Sequence, residues 1–177
     1  ADPRIVDNPR SIEVITYKEL RELSYMGATV LHESAIFPVR KEGIPINIRN
    51  TNAPQDKGTM IVETTCNKPD CIITGIAGKK DFMSIYVYKK HMSNEVGFIR
   101  KALSILEKYH ISIEHIPSGI DSFNIVVEKK EIEESLYEIL AHFKDELKPD
   151  KLTVQEDLAL ISTVGKNMSD KPGTSGK

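Results

Sequence analysis

Asn94 to Ile99 has the composition of a helix start, where backbone N–H groups without partners and the positive end of the helix dipole face an anion. Gly97 within it allows a ligand to come close to the backbone. Glu114 follows on the next predicted strand and could take an ammonium, while Gly119, Ile120, Asp121 and Ser122 form the turn and strand after it. Each has a plainer reading: Glu114 as a solvated strand residue, Gly97 as a residue that only starts the helix. Other chemistry is poorly supported. Cys66 and Cys71 could close a small disulfide loop or supply half a metal site, but no second pair exists, so free structural thiols are the better expectation. His32, His91, His110, His115 and His142 lack metal-ligand spacing. Gly75 to Lys79 has the flavour of a phosphate loop with the wrong spacing, no Gly-x-x-x-x-Gly-Lys-Ser/Thr segment occurs, and no nucleophile has an evident base. Tyr86, Tyr88 and Tyr109 read as core or interface residues rather than as a stacking platform for bases.

These residues need elements to hold them. Thr16 to Glu19 matches a capping box and predicts a helix whose buried face carries Leu20 and Leu23, with Ala28 and Leu31 beyond Gly27. Ile44 to Arg49 alternates as a half-buried strand, Asn50 to Gly58 is a polar loop, and Thr59 to Glu63 is a second short strand. Residues 64 to 71 read as a linker. A strand is then expected over Ile72 to Lys80 and a stronger one over Met83 to Lys89. Ile99, Ala102, Leu103 and Leu106 share one face of a helix from about Asn94 to Tyr109. Ile111 to Ile116 is a predicted strand, Ser122 to Glu128 the returning strand, Ile132 to Phe143 a second amphipathic helix, and Lys151 to Glu156 a closing strand. The order over 83 to 156 is βαββαβ, the ferredoxin-like arrangement of two helices on a four-stranded antiparallel sheet. Leu158 to Val164 begins a further strand. Met92 to Gly97 and Met168 to Gly173 are similar turns, which suggests a second copy of the module.

The chain of 177 residues suits one ordinary domain or two small ones. Lys and Arg total 24 against 26 Asp and Glu, a net charge of −2, so no broad basic field attracts nucleic acid. No run reaches the roughly 18 apolar residues of a membrane span, and the first residues are charged, so the chain reads as cytoplasmic. Both ends look like cuts. The first residue is Ala1, and Ser169, Asp170 and Pro172 would start a helix that does not follow.

Asp2-Pro3-Arg4, Glu22 to His32 (Glu-Leu-Ser-Tyr-Met-Gly-Ala-Thr-Val-Leu-His), Gly43 to Thr51 and Gly58-Thr59 occur in the order found in the C-terminal half of the aspartokinase catalytic domain, and the repeat after them resembles that family's paired ACT domains. The spacing from Val96-Gly97-Phe98 to Glu114 through Asp121 is similar to the lysine-sensitive, monofunctional type. The resemblance implies a mixed α/β and α+β chain truncated at both ends. Residues 1–65 would be a C-terminal fragment of an amino-acid kinase α/β domain, and 66–82 a linker and strand contributed to a second ACT unit. Residues 83–156 would be a ferredoxin-like ACT domain, and 157–177 the start of a second one. It further implies a parent enzyme that uses ATP and Mg to phosphorylate the aspartate β-carboxylate, giving 4-phospho-aspartate, under feedback control by lysine, alone or with threonine.

Nucleotide contacts carried over by the match are Arg4, Asp2, Thr29 and Val30; Thr29 stands where related enzymes have Lys and cannot supply its charge. The family's N-terminal phosphate-binding segment and its aspartate-binding residues would precede residue 1, so the chain alone is expected to be inactive. The effector pocket would use Met92, Ser93, Glu95, Val96, Gly97, Phe98, Ile99, Glu114, Gly119, Ile120, Asp121 and Ser122, across a homodimer interface between ACT domains. Ile120 stands where an acidic residue is expected, with Asp121 beside it. Two rival readings stay open: a separately made regulatory subunit that binds an amino acid, and an ACT dimerisation module that binds no ligand.

Overall fold

The computed structural model describes residues 7, 11–28, 31, 33–65, 73–166, 168 and 172–173, without the side chains of 33 and 34. These fall into two compact units: residues 1–79 with 161–177, and residues 80–160.

In the first unit, β1 (Val14–Thr16) leads directly into α1 (Tyr17–Tyr25). The predicted capping box is present, with the Glu19 N–H donating to Thr16 Oγ1 at 3.3 Å and the Thr16 N–H donating to Glu19 Oε2 at 2.9 Å. Leu20 and Leu23 are buried as the periodicity requires. The sheet has the order β1-β3-β2, where β2 is Ile46–Ile48 and β3 is Thr59–Val62. β1 runs parallel to β3 and β2 antiparallel to it. Ile15, Tyr17, Leu20, Leu23, Ile36 and Ile61 form the core with Ala77 and Val164. The loop between β2 and β3 ends at Gly58, where φ is +70° and a Cβ would collide with the Ile48 carbonyl and the side chains of Asn47 and Arg49. The helix α2 (Glu33–Lys41) is not signalled by the sequence, because Pro38 reads as a breaker yet lies inside it.

Glu19 does more than cap α1. It is only 5% exposed, and its carboxylate accepts the Thr74 hydroxyl as well as the Thr16 hydroxyl and N–H, with Lys166 Nζ 3.8 Å away. Lys166 also donates to Thr65 Oγ1 at 2.7 Å. Burial pushes the Glu19 carboxyl up, but the hydrogen bonds from Thr16 and Thr74 and the charge of Lys166 outweigh it and leave the group below its ordinary value.

A sheet of order β5-β4-β6, whose strands β4 and β6 run on beyond residues 80–160, carries the helices of the second unit over one apolar face. β4 is Ile73–Tyr88, β5 Ser122–Glu128 and β6 Lys151–Gly165; α3 is Phe98–Lys108, α4 Lys129–Ile132 and α5 Leu136–His142. A π-helical turn, Phe143–Leu147, extends α5. Met83, Ile85 and Val87 of β4 and Phe123, Ile125 and Val127 of β5 alternate into the core, against Phe98, Ala102, Ile105 and Leu106 of α3 and Ile139 of α5. Phe98 and Phe123 meet edge to face with ring centroids 6.0 Å apart.

Five features depart from the sequence reading, one of them the helix expected over Ile132 to Phe143, where α4 ends at Ile132 and α5 starts anew at Leu136. The strands expected at 72–80 and 83–89 are one strand, in which Asp81 takes φ +68° and bends the chain without ending it. Similarly, 151–156 and 158–164 are one strand bent at Asp157, φ +57°. The helix expected from Asn94 is interrupted: Met92–Asn94 is a 3-10 turn, and α3 starts only at Phe98 after Gly97 at φ +78°. The strand expected over 111–116 is absent, so the sheet is three-stranded rather than four-stranded. Only isolated bridges at His115↔Val126 and Ser118↔Phe123 remain there. The reason is local: Glu114 N–H and His115 N–H both donate to the Val126 carbonyl, at 2.9 and 3.4 Å, and Pro117 has no N–H to give.

Candidate functional site

The turn between β4 and α3 is built by successive backbone bonds. Met92 N–H donates to Lys89 O, Asn94 N–H to His91 O and Glu95 N–H to Met92 O, each at 3.0 Å, and Phe98 N–H donates to Glu95 O at 3.3 Å. Lys101 N–H to Gly97 O, 3.0 Å, is the first α-helical bond, so the N–H groups of Ile99 and Arg100 have no intrahelical acceptor. Gly97 is required for its positive φ rather than for space, since a Cβ would lie 3.6 Å from Arg100 Nε, an ordinary contact.

Several predicted site residues come together at this end of the sheet. Tyr88 pairs with Ser122 in the β4–β5 ladder, and Lys89 N–H donates to Asp121 O at 2.9 Å. Gly119 N–H donates to Ser122 O at 2.7 Å and closes the turn before β5. Met92 and Phe98 are buried core residues; Ile99, Asp121 and Ser122 are half-buried; Ser93 and Gly119 are exposed. Val96 and Ile120 are apolar yet 97% and 78% exposed.

Glu114 stands apart from them within one chain. It is half-buried, and its N–H bonds to Val126, four residues along β5 from Ser122. At about 3.3 Å per strand residue, its backbone lies about 13 Å from the turn. Glu95 is closer but already engaged: Lys89 Nζ sits 2.6 Å from Oε2 and Lys101 Nζ 2.8 Å from Oε1. The bonds from Lys101 and Lys89 hold the Glu95 carboxyl below its ordinary range. With Glu95 neutralised and Arg100 beside it, the start of α3 is set up to receive an anionic group. A cation would find no free carboxylate at Glu95.

Lys89, Lys101, Asp150 and the Leu147 carbonyl were not apparent as neighbours of this turn in the sequence. Lys89 Nζ donates to Leu147 O at 2.9 Å, and Lys90 N–H donates to Asp150 Oδ2 at 2.7 Å. The spacing of 58 and 60 residues leaves no local signal. Asp2, Arg4, Thr29 and Val30 lie outside the described residues, as do Cys66 and Cys71. Among the described residues no His, Cys, Asp and Glu group could hold a metal ion, and no helix is long and apolar enough to cross a membrane.

A short unit with a β1-β3-β2 sheet and a second unit whose helices cover one sheet face are the context for the comparisons with known proteins. The sequence profile of the Amino acid kinase family matches residues 1–50. Aspartokinase 3 of Bacillus subtilis (strain 168) is 38% identical over 177 residues, covering 99% of this chain and 39% of the relative. The crystal structure of Clostridium acetobutylicum aspartate kinase, described as an allosteric enzyme, is 51% identical with a TM-score of 0.91, over 99% of this chain and 41% of that one. Escherichia coli aspartokinase III in complex with lysine and aspartate is 25% identical with a TM-score of 0.73, over 94% of this chain and 37% of that one. The chain belongs to the aspartokinase family, and it spans about two fifths of the length of these relatives.

Proposed function

We propose that this chain is the part of an aspartokinase in which the end of the kinase domain, residues 1–65, continues through 66–82 into a lysine-sensing ACT domain at 83–156, with a second ACT domain beginning at 157–177. The observation that carries the reading is the convergence of the α3 start with the Gly119–Ser122 turn, joined by the Lys89 N–H to Asp121 O bond. A likeness to an aspartokinase III whose structure holds lysine and aspartate supports it. The helix start takes the effector's carboxylate and Glu114 its ammonium. Because Glu114 bonds to β5 about 13 Å along the strand from the turn that meets the α3 start, the pocket is completed across a homodimer, where Glu114 of one protomer approaches the α3 start of its partner.

The parent enzyme transfers the γ-phosphoryl group of ATP to the aspartate β-carboxylate in the cytoplasm. Such transfer rests on positioning and on neutralising phosphate charge, with Mg supplying part of the cation. Arg4 and Asp2, with the backbone at Thr29 and Val30, are the assigned nucleotide contacts. The 177 residues alone should give no turnover.

Calorimetric titration of the chain with lysine tests the reading, with threonine as comparator. Saturable lysine heat is expected; none up to millimolar lysine would remove the effector assignment. Glu114→Gln should weaken lysine binding about 30-fold, because losing one partner of a buried charge pair costs on the order of 2–5 kcal/mol. An effect within about twofold would put Glu114 among ordinary surface residues.

A further inference from the structure

We infer that Lys89 is the positioning residue of this site, a built-in ammonium that fixes the start of α3 against the rest of the second unit. An ammonium is satisfied by an anion, by carbonyl oxygens and by the face of an aromatic ring. Two segments far apart in the chain supply these to Lys89 Nζ: the Glu95–Phe98 turn, with the Glu95 carboxylate at 2.6 Å and the Phe98 ring centroid at 4.8 Å, and the helix end at Leu147, whose carbonyl lies at 2.9 Å. Leu147 ends the π-helical turn, and Lys148 after it takes φ +48°, so its carbonyl is at the negative end of a helix and lacks a continuing helical donor. Lys89 therefore satisfies a helix end while holding the residue that begins α3.

The same residue reaches the other half of the site through its backbone, by the bond from its N–H to Asp121 O at 2.9 Å. Lys89 thus touches the Glu95–Phe98 turn, the Asp121 turn and the end of the helix that follows β5. Lys101 also pairs with Glu95, at 2.8 Å, but it belongs to α3 and ties the turn only to its own helix. The two lysines make the same ion pair and differ in what they join. Sequence spacing gives no hint of this, since Lys89 and Lys90 read as the charged end of a strand.

The assignment of a ligand rests on the effector reading, whereas the clamp itself does not, and one set of full-length variants separates the two. Lys89→Met keeps the apolar stem and removes the ammonium, Lys89→Arg restores a cation, and Lys101→Met removes the other partner of Glu95. Amide hydrogen exchange at 92–99 and 119–122 and lysine titration are read on each. Lys89→Met should speed exchange at 95–99 and weaken lysine binding, each by about tenfold, the effect of losing one charge-assisted hydrogen bond. Lys89→Arg and Lys101→Met should each stay within about threefold of the unaltered chain in both readouts. Exchange unchanged in Lys89→Met overturns the clamp. Faster exchange with unchanged lysine affinity overturns its role in the site. If the unaltered chain takes up no lysine, the effector reading fails and exchange alone decides the clamp. Should Lys89→Met not fold, Lys89→Gln removes the charge while keeping a polar side chain and is judged by the same thresholds.

Discussion

Glu19 is the residue whose environment most exceeds its local role. A capping-box glutamate is ordinarily exposed, but here it is 5% exposed and takes the Thr74 hydroxyl and the charge of Lys166 in addition to Thr16. Glu19→Gln keeps the shape and turns one oxygen into a donor facing the donors of Thr16 or Thr74. A loss of about 1–3 kcal/mol is expected in urea unfolding at pH 7, the cost of mismatched buried polar groups. The folded carboxyl titrates below its ordinary value, so the ionised form contributes stability above the unfolded value of about 4.3, and that contribution falls as pH drops through the lower folded value. The gap between the two proteins should therefore narrow as pH falls below about 4, where the unfolded state takes up the proton before the folded one, and close once both are protonated. A gap that stays constant from pH 7 to pH 3 would show that charge is not its source.

At the scale of elements, two glycines with similar backbone angles should respond differently to the same change. Gly58 and Gly97 have φ of +70° and +78°. At Gly97 a methyl group meets only Arg100 Nε at 3.6 Å, so Gly97→Ala bears the conformational cost alone, about 1 kcal/mol. At Gly58 the added atom runs into the Ile48 carbonyl, part of the strand that pairs with β3. Gly58→Ala should cost at least about 3 kcal/mol and loosen the β2–β3 pairing. Chemical denaturation with exchange at 46–48 and 59–62 would check it; equal losses in the two variants would argue against a steric origin at Gly58.

Across the whole molecule the two units differ in what holds them together. Among the described residues, 17 buried apolar residues form the core of the second unit and eight that of the first. β1, β2 and β3 are strands of three and four residues, whereas β4 and β5 pair over seven residues, from Phe82 to Tyr88. Amides at 83–87 and 123–127 should be the slowest to exchange, and those of β1 and β2 about a hundredfold faster. Uniform protection across both units would mean that they unfold as one cooperative body. The segment at 113–118 meets β5 through isolated bridges at His115↔Val126 and Ser118↔Phe123 rather than as a full strand, and edges of this kind are where second copies pair. Sedimentation should show a dimer, and a strictly monomeric species at high concentration would count against pairing through this unit.

The sequence by itself determined the features whose cause lies within a few residues. Thr16 and Glu19 announce α1 because the capping box is closed by neighbours, and the Ile99, Ala102 and Leu106 stripe announces α3 because a helix returns every 3.6 residues. Ser122 to Glu128 was legible as a strand from its alternation. Tertiary structure decided whatever depends on partners far along the chain. It carried α2 through Pro38 by burying Ile36, and it reduced 111–116 to isolated bridges because two N–H groups compete for Val126. It set Glu114 apart from the α3 start, and it occupied Glu95 with Lys89 and Lys101. Thr74 reaches Glu19 across 55 residues and Lys89 reaches Leu147 across 58. Periodicity and capping report only on nearest turns, so contacts of that range become visible only when the folded backbone brings a donor and an acceptor within hydrogen-bonding distance.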